Sequence, residues 1–311
     1  MASRHFIPTE AQFDSRQPRC DDMAYNTSFA FDSVVVLESL RPGDLRTGRD
    51  LFETTLAPAS VIDPGFVSEF YEPRSGPEFL GALATVCQTA QKYGRSPIVH
   101  IETHGDKEGI ALANGDVIPW QEVAPRLAAI NRVSRMNLLV VAAMCHGWYL
   151  SAILRPTDRA PAFGIIGAQE DVPAGDLLDA MKQLYSCLIV PAHDLRVALD
   201  AANSGRDLAD WTYRMEGAEL MLCRVYRQYL RGLEEEETRA QRISRLVADA
   251  ARLRSLDVLQ TMQFRAEVAQ ALDDHERWFM MYRTRFLMLD VFPENERRFP
   301  LRFRDCGQAA A

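Results

Sequence analysis

The chain has 311 residues, 47% of them hydrophobic and 25% charged, with a formal net charge of −8. That length exceeds the usual ~100–200 residues of a single domain, so one large or two modest domains of globular type are expected. An acidic chain without a basic stripe argues against a general nucleic-acid binder, and no apolar run approaches the roughly 18 residues of a membrane span.

Residues 1–30 are polar and aperiodic, which predicts a loosely packed N-terminal arm. The run Ser33–Leu37 is β-branched and predicts a buried strand. Next, "GDLRTGRDLFETTLAP" has helical spacing that lets Leu45, Leu51, Phe52 and Leu56 share a face. An extended stretch around Pro64 follows. A strongly amphipathic helix comes after it, with Ser75 as N-cap and Gly94 as stop. "SPIVHIETHG" predicts a second buried strand, and "GIALANGDVIPW" a small hairpin turning at Asn114–Gly115. A helix opening at Pro119 must accommodate Pro125 in its first turn or kink there. "MNLLVVAAM" and "APAFGIIGAQ" give two further strands, and "GDLLDAMKQLYSCL" and "PAHDLRVALDAANSG" the helices behind them.

Strands alternating with helices predict an α/β fold, a mostly parallel sheet with helices on both faces, over residues 31–205. The pattern changes near Ser204–Asp207. No strand-like run appears in residues 208–290, so 206–311 are expected to form an α-helical C-terminal domain. The acidic run Glu234–Glu237 reads as a solvated helix face.

Two strand ends carry groups suited to nucleophilic catalysis: "THGD", with His104 and Gly105, and "CHGW", with Cys145 and Gly147. In open α/β sheets function gathers at the carboxyl ends of strands. A thiol needs a base or an electropositive setting to be largely thiolate at neutral pH, and a histidine on a neighbouring parallel strand can supply it. Glycines beside both allow a sharp turn and close approach of a peptide.

These residues resemble the caspase-like (clan CD) cysteine peptidases: "HG" ending one buried strand, then a cysteine ending the next. His104 precedes Cys145 by 41 residues, against about 50 in caspases. The residue two before Cys145 is Ala143, where metacaspases carry aspartate, and "HGW" replaces the "RG" of animal caspases. The bacterial CHAT branch is therefore the nearest resemblance, over roughly residues 31–205.

The resemblance implies a cysteine endopeptidase in which Cys145 attacks the scissile carbonyl and His104 protonates the leaving amine. The amides of Gly105 and Cys145 would form the oxyanion hole. A bacterial defence or regulated-proteolysis pathway is the implied setting. The alternative is a catalytically silent caspase-like scaffold whose helices bind a protein partner. Glu170 and Asp171, after the fourth strand, would favour a basic side chain before the cut. Arg41, Arg46 and Arg49, after the first strand, would favour aspartate instead.

His146 adjoins the thiol but should point elsewhere, His100 reads as a core residue, and His193 as structural. A zinc site from His100, His104, Cys145 and His146 lacks the short local ligand pairs zinc prefers, so neither metal nor cofactor is expected. The expected partners are a protein or peptide substrate and a regulatory protein on the helical region, with no nucleic acid and no membrane. "MASRHFIPTE" lacks the features of a secretory leader. Cys20, Cys87, Cys145, Cys187, Cys223 and Cys306 contain no CxxC pair, and read as reduced thiols of a cytoplasmic protein.

Overall fold

A computed structural model describes residues 29–151, 154–189, 194–204, 211–254 and 256–306; His193 and most of the expected arm lie outside them. The chain runs β1 (Ser33–Ser39), α1 (Thr47–Leu51), a π-helical turn (Phe52–Leu56), α2 (Ala57–Ile62) and β2 (Val67–Tyr71). Then come α3 (Gly76–Tyr93), β3 (Pro97–Gly105), the hairpin β4 (Gly109–Ala111) and β5 (Val117–Pro119), and α4 (Trp120–Val133). Next are β6 (Leu139–Ala142), a 3-10 turn (Gly147–Ser151), β7 (Gly164–Ala168), α5 (Ala174–Leu188), α6 (Leu195–Ala202) and β8 (Tyr213–Gly217). The remainder is α7 (Ala218–Glu234), α8 (Glu236–Arg254), α9 (Val258–Ala271), α10 (His275–Phe286) and α11 (Asn295–Arg298).

The main sheet has the order β2-β1-β3-β6-β7-β8. Every neighbouring pair in it is parallel except β7 with β8. Val34, Val35 and Val36 on β1 and Leu139, Val140 and Val141 on β6 are buried on both faces, as central parallel strands between helices require. Helix α3 packs against α4, and α1 against α5. Ser75 caps α3 by accepting from the Glu78 amide, and Gly94 closes it in the left-handed region at φ 66°, a conformation glycine adopts without Cβ strain. Pro125 sits inside α4, in its second turn.

Several expectations are corrected. The expected helix starts only at Thr47 and runs on to Ile62 with a π-helical turn inside it; Leu45 lies before α1 and is 55% exposed, so it does not share the face that buries Leu51 and Leu56. Strand β8 falls within residues 208–290, where none was expected, and carries the sheet past residue 205. Its five residues, "YRMEG", are too short and polar for a pattern reading; Tyr213 and Met215 turn inward. Phe29, assigned to the arm, is buried and stacks on Phe163 with ring centroids 5.3 Å apart. Glu234–Glu237 are exposed but mark the break between α7 and α8.

The C-terminal helices are not insulated from the sheet. Phe279, Tyr282, Phe286 and Phe299 belong to the same apolar cluster as Val36, Ile101 and Val141. Among the described residues a satellite cluster of Ile243, Val247 and Leu272 lies apart, between α8 and the end of α9. Cys223 on α7 and Cys306 form a disulfide, which corrects the reduced-thiol reading for that pair; Cys87, Cys145 and Cys187 are free. Among the described residues no helix is long and apolar enough to cross a membrane.

Candidate active site

Parallel pairing of β3 with β6 sets Ile101 opposite Ala142, and the Ala143 amide extends the ladder by donating to the Ile101 carbonyl at 2.9 Å. Each chain then runs on three residues, to His104 and to Cys145, so both emerge at one carboxyl edge of the sheet. Gly105 lies against the far side of this junction. A methyl group there would meet the Cys145 carbonyl oxygen at 2.6 Å and Met144 Cγ at 2.8 Å, well inside van der Waals contact, so the two strand ends touch only because residue 105 has no side chain. Cys145 is a half-buried free thiol, and the His104 side chain is 49% exposed.

A third group joins them from β1. In the loop after that strand Asp44 accepts hydrogen bonds from the Arg41 amide at 2.8 Å and from His104 Nε2 at 2.8 Å. The His104 bond is the main reason the Asp44 carboxyl is held below its ordinary value. A carboxylate only accepts, so the bond fixes the proton of neutral His104 on Nε2 and leaves the Nδ1 lone pair available. Sequence reading passed over Asp44. The usable signal was topological: β1 and β3 are adjacent parallel strands, so the loop after β1 must open beside the end of β3.

The turn after the thiol is tightly built. His146 has φ 56°, a left-handed conformation that costs a non-glycine residue energy and tends to survive where function needs it. Its ring turns away from Cys145: Nδ1–H donates to the Gln169 carbonyl at 2.8 Å, and Nε2 lies 3.3 Å from Asp171 Oδ1. Gly147 packs so closely on β6 that a methyl would meet the Ala142 Cβ and carbonyl oxygen at 2.6 Å. The Asp106 amide donates to the Gly109 carbonyl. In the antiparallel ladder of β3 and β4 this makes the adjacent Gly105–Ile110 pair the non-bonded kind. The Gly105 N–H is thus turned away from β4, toward the side of the Cys145 turn.

The charged residues considered for specificity divide clearly. Arg46 bonds Glu38 and Glu72, and Arg49 bonds Glu72 and, through its amide, Glu38. Both arginines are therefore already neutralised. Arg41 contributes its amide to Asp44. Glu170 is exposed after β7, and Asp171, 88% exposed, reaches His146.

Inside the sheet, His100 is fully buried, with Nδ1 3.2 Å from the Tyr185 hydroxyl and Nε2 3.1 Å from Glu102 Oε2. Burial pushes the Glu102 carboxyl above its usual value despite the histidine. His100 is a core residue as its place in the strand implies; the burial of its partner Glu102 was not foreseen from the sequence. Among the described residues no group of three or more His, Cys, Asp and Glu side chains is arranged to hold a metal ion. No protein-family model matches this chain, and no curated protein matches it either. What the fold and site establish by themselves is an α/β protein whose sheet edge carries a thiol, an imidazole and a carboxylate from three strands.

Proposed function

We propose that this protein is a caspase-like cysteine endopeptidase working through a Cys145–His104 dyad, with Asp44 orienting the imidazole. The observation that supports the reading is the adjacency of β3, which carries His104, and β6, whose chain reaches Cys145 three residues on, with His104 Nε2 bonded to Asp44 at 2.8 Å. In the reaction His104 Nδ1 takes the thiol proton, and Cys145 Sγ forms a bond to the scissile carbonyl carbon. The Gly105 and Cys145 amides receive the negative charge that develops on the carbonyl oxygen. The imidazolium then gives its proton to the leaving nitrogen as the C–N bond breaks. Water, deprotonated by the same ring, attacks the thioester, which releases a carboxylate and restores the thiol.

Glu170 and Asp171 supply the negative charge near this edge, while Arg46 and Arg49 are committed to internal carboxylates. The substrate preference that follows is arginine or lysine before the cut, within regulated proteolysis of a protein target. The test is a peptide library cleaved by wild type and by Cys145→Ala. Cleavage after basic residues by wild type alone is expected, and cleavage that survives in the variant refutes the nucleophile.

A second reading, a silent scaffold, draws on Val258, Leu259 and Met262, which stand 80%, 65% and 67% exposed on α9 as an apolar surface suited to a partner protein. It expects Cys145→Ala to keep the full cellular effect of the wild-type chain.

A further inference from the structure

The nucleophile's turn is held from behind as well as from the sheet. Resting on the peptidase reading above, the geometry points to Arg224 on α7 as a positioning residue that fixes the Cys145–Ser151 turn in its reactive arrangement. Its Nε donates to Glu216 Oε1 at 2.7 Å and its Nη2 to Glu216 Oε2 at 3.3 Å. The same Nη2 donates to the Ser151 carbonyl. The guanidinium carbon lies 5.6 Å from the centroid of the Trp148 ring, within the range of a cation–π contact.

Each partner is itself fixed. The Glu216 side chain is 6% exposed and belongs to β8, the sheet's last strand, so the fork is anchored to the sheet. Ser151 is fully buried, and its hydroxyl donates to the Trp148 carbonyl at 3.0 Å. The turn closes back toward the thiol through the Tyr149 amide, which donates to the His146 carbonyl at 2.9 Å. One arginine therefore binds the far end of the five-residue segment that begins two residues after Cys145. The planar fork matters, because it meets a carboxylate and a carbonyl in fixed directions that a lysine ammonium does not reproduce. Arg224 is distant in sequence from both strands that carry the dyad, and nothing in its local pattern, "LMLCRVYRQYL", separates it from an ordinary helix-face arginine.

The test compares wild type, Arg224→Met and Arg224→Lys on a basic fluorogenic peptide, with kcat and KM taken per folded molecule. In parallel, iodoacetamide labelling of Cys145 is followed by mass spectrometry against Cys187 as internal reference. Arg224→Met is expected to lower kcat by about 10- to 100-fold with KM little changed, since small misplacements of reacting groups cost that much. The Cys145-to-Cys187 labelling ratio should change as well, and Arg224→Lys should recover part of both. Should Arg224→Met fail to fold, Arg224→Lys carries the comparison alone, because it keeps the charge beside Glu216 and loses the fork. Unchanged kcat and labelling in a folded variant overturn the proposal, as does a fall in KM-linked binding alone. If wild type cleaves no peptide yet the labelling ratio still shifts, the peptidase reading fails while the positioning role stands.

Discussion

Asp44→Asn separates an oriented imidazole from a histidine that merely lies near a thiol. The substitution keeps the shape but removes the charge, and the amide can present its NH2 to His104, which favours the wrong tautomer. A hydrogen bond to a charged partner contributes about 1.5–3 kcal/mol when shielded. Here the His104 and Asp44 side chains are 49% and 32% exposed, so solvent screening brings the coupling down toward about 1 kcal/mol. At 1.36 kcal/mol per factor of ten, kcat should fall by about five- to tenfold with KM within about twofold of wild type. The assay is steady-state hydrolysis of a fluorogenic arginyl peptide near neutral pH, beside Cys145→Ala as the zero. A kcat unchanged by Asp44→Asn refutes the orienting role. A loss as complete as that of Cys145→Ala also refutes the reasoning, because an exposed bond cannot supply so much. The sign of the pH effect follows from the lowered Asp44 carboxyl: its contribution is present above its ordinary value and is lost as the pH falls through the still lower folded value.

Gly147→Ala should destabilise the fold by about 1–3 kcal/mol, since the new methyl meets Ala142 Cβ and carbonyl oxygen at 2.6 Å; a denaturant melt superimposable on wild type counts against this packing. The Cys223–Cys306 bond spans 83 residues, so its reduction should lower unfolding free energy by up to about 4 kcal/mol. Thiol titration of the unfolded chain should find two fewer thiols before reduction than after. Glu102→Gln should gain on wild type as pH rises. Burial raises the Glu102 carboxyl, so the folded chain keeps a proton that the unfolded chain has released, and wild-type stability falls across that window. Urea melts at about pH 5 and about pH 8 should show the two proteins diverging, and parallel curves would contradict the assignment.

What could be read in advance was whatever is local or repeats along one segment. The runs of β1, β3 and β6 announce buried strands because a parallel strand covered on both sides needs apolar residues at every position. Ser75 and Gly94 announce the ends of α3 for equally local reasons. Asp44 escaped because it meets His104 across 60 residues, through a pairing of strands that no window of sequence contains. Strand β8 escaped for a related reason: an antiparallel strand at the sheet's edge is specified by its partner β7 more than by its own five residues. The buried Glu38 and Glu102 sit opposite one another in the ladder of β1 and β3, and each looks in sequence like an ordinary polar residue at a strand's end. Their burial depends on partners from the following helix and its start, Arg46, the Gly48 backbone and the Arg49 amide.

The same contrast bears on the helical half. A change from mixed to purely helical pattern suggests a boundary, yet cohesion depends on where apolar faces are buried, not on where periodicity changes. Phe163, just before β7, lies 6.2 Å from Phe299 between ring centroids. Arg298 donates to the carbonyls of Arg135 and Met136 at 2.9 and 3.0 Å. Those two residues both have positive φ, 55° and 64°, in the turn that feeds β6. Two consecutive left-handed non-glycine residues cost energy that the surrounding structure must offset, and here part of that support comes from the C-terminal segment. The strand that leads to Cys145 is therefore held at its start by Arg298 and beyond its end by Arg224. Removing the helices would disturb both ends of it, so an active fragment limited to residues 31–205 is not expected.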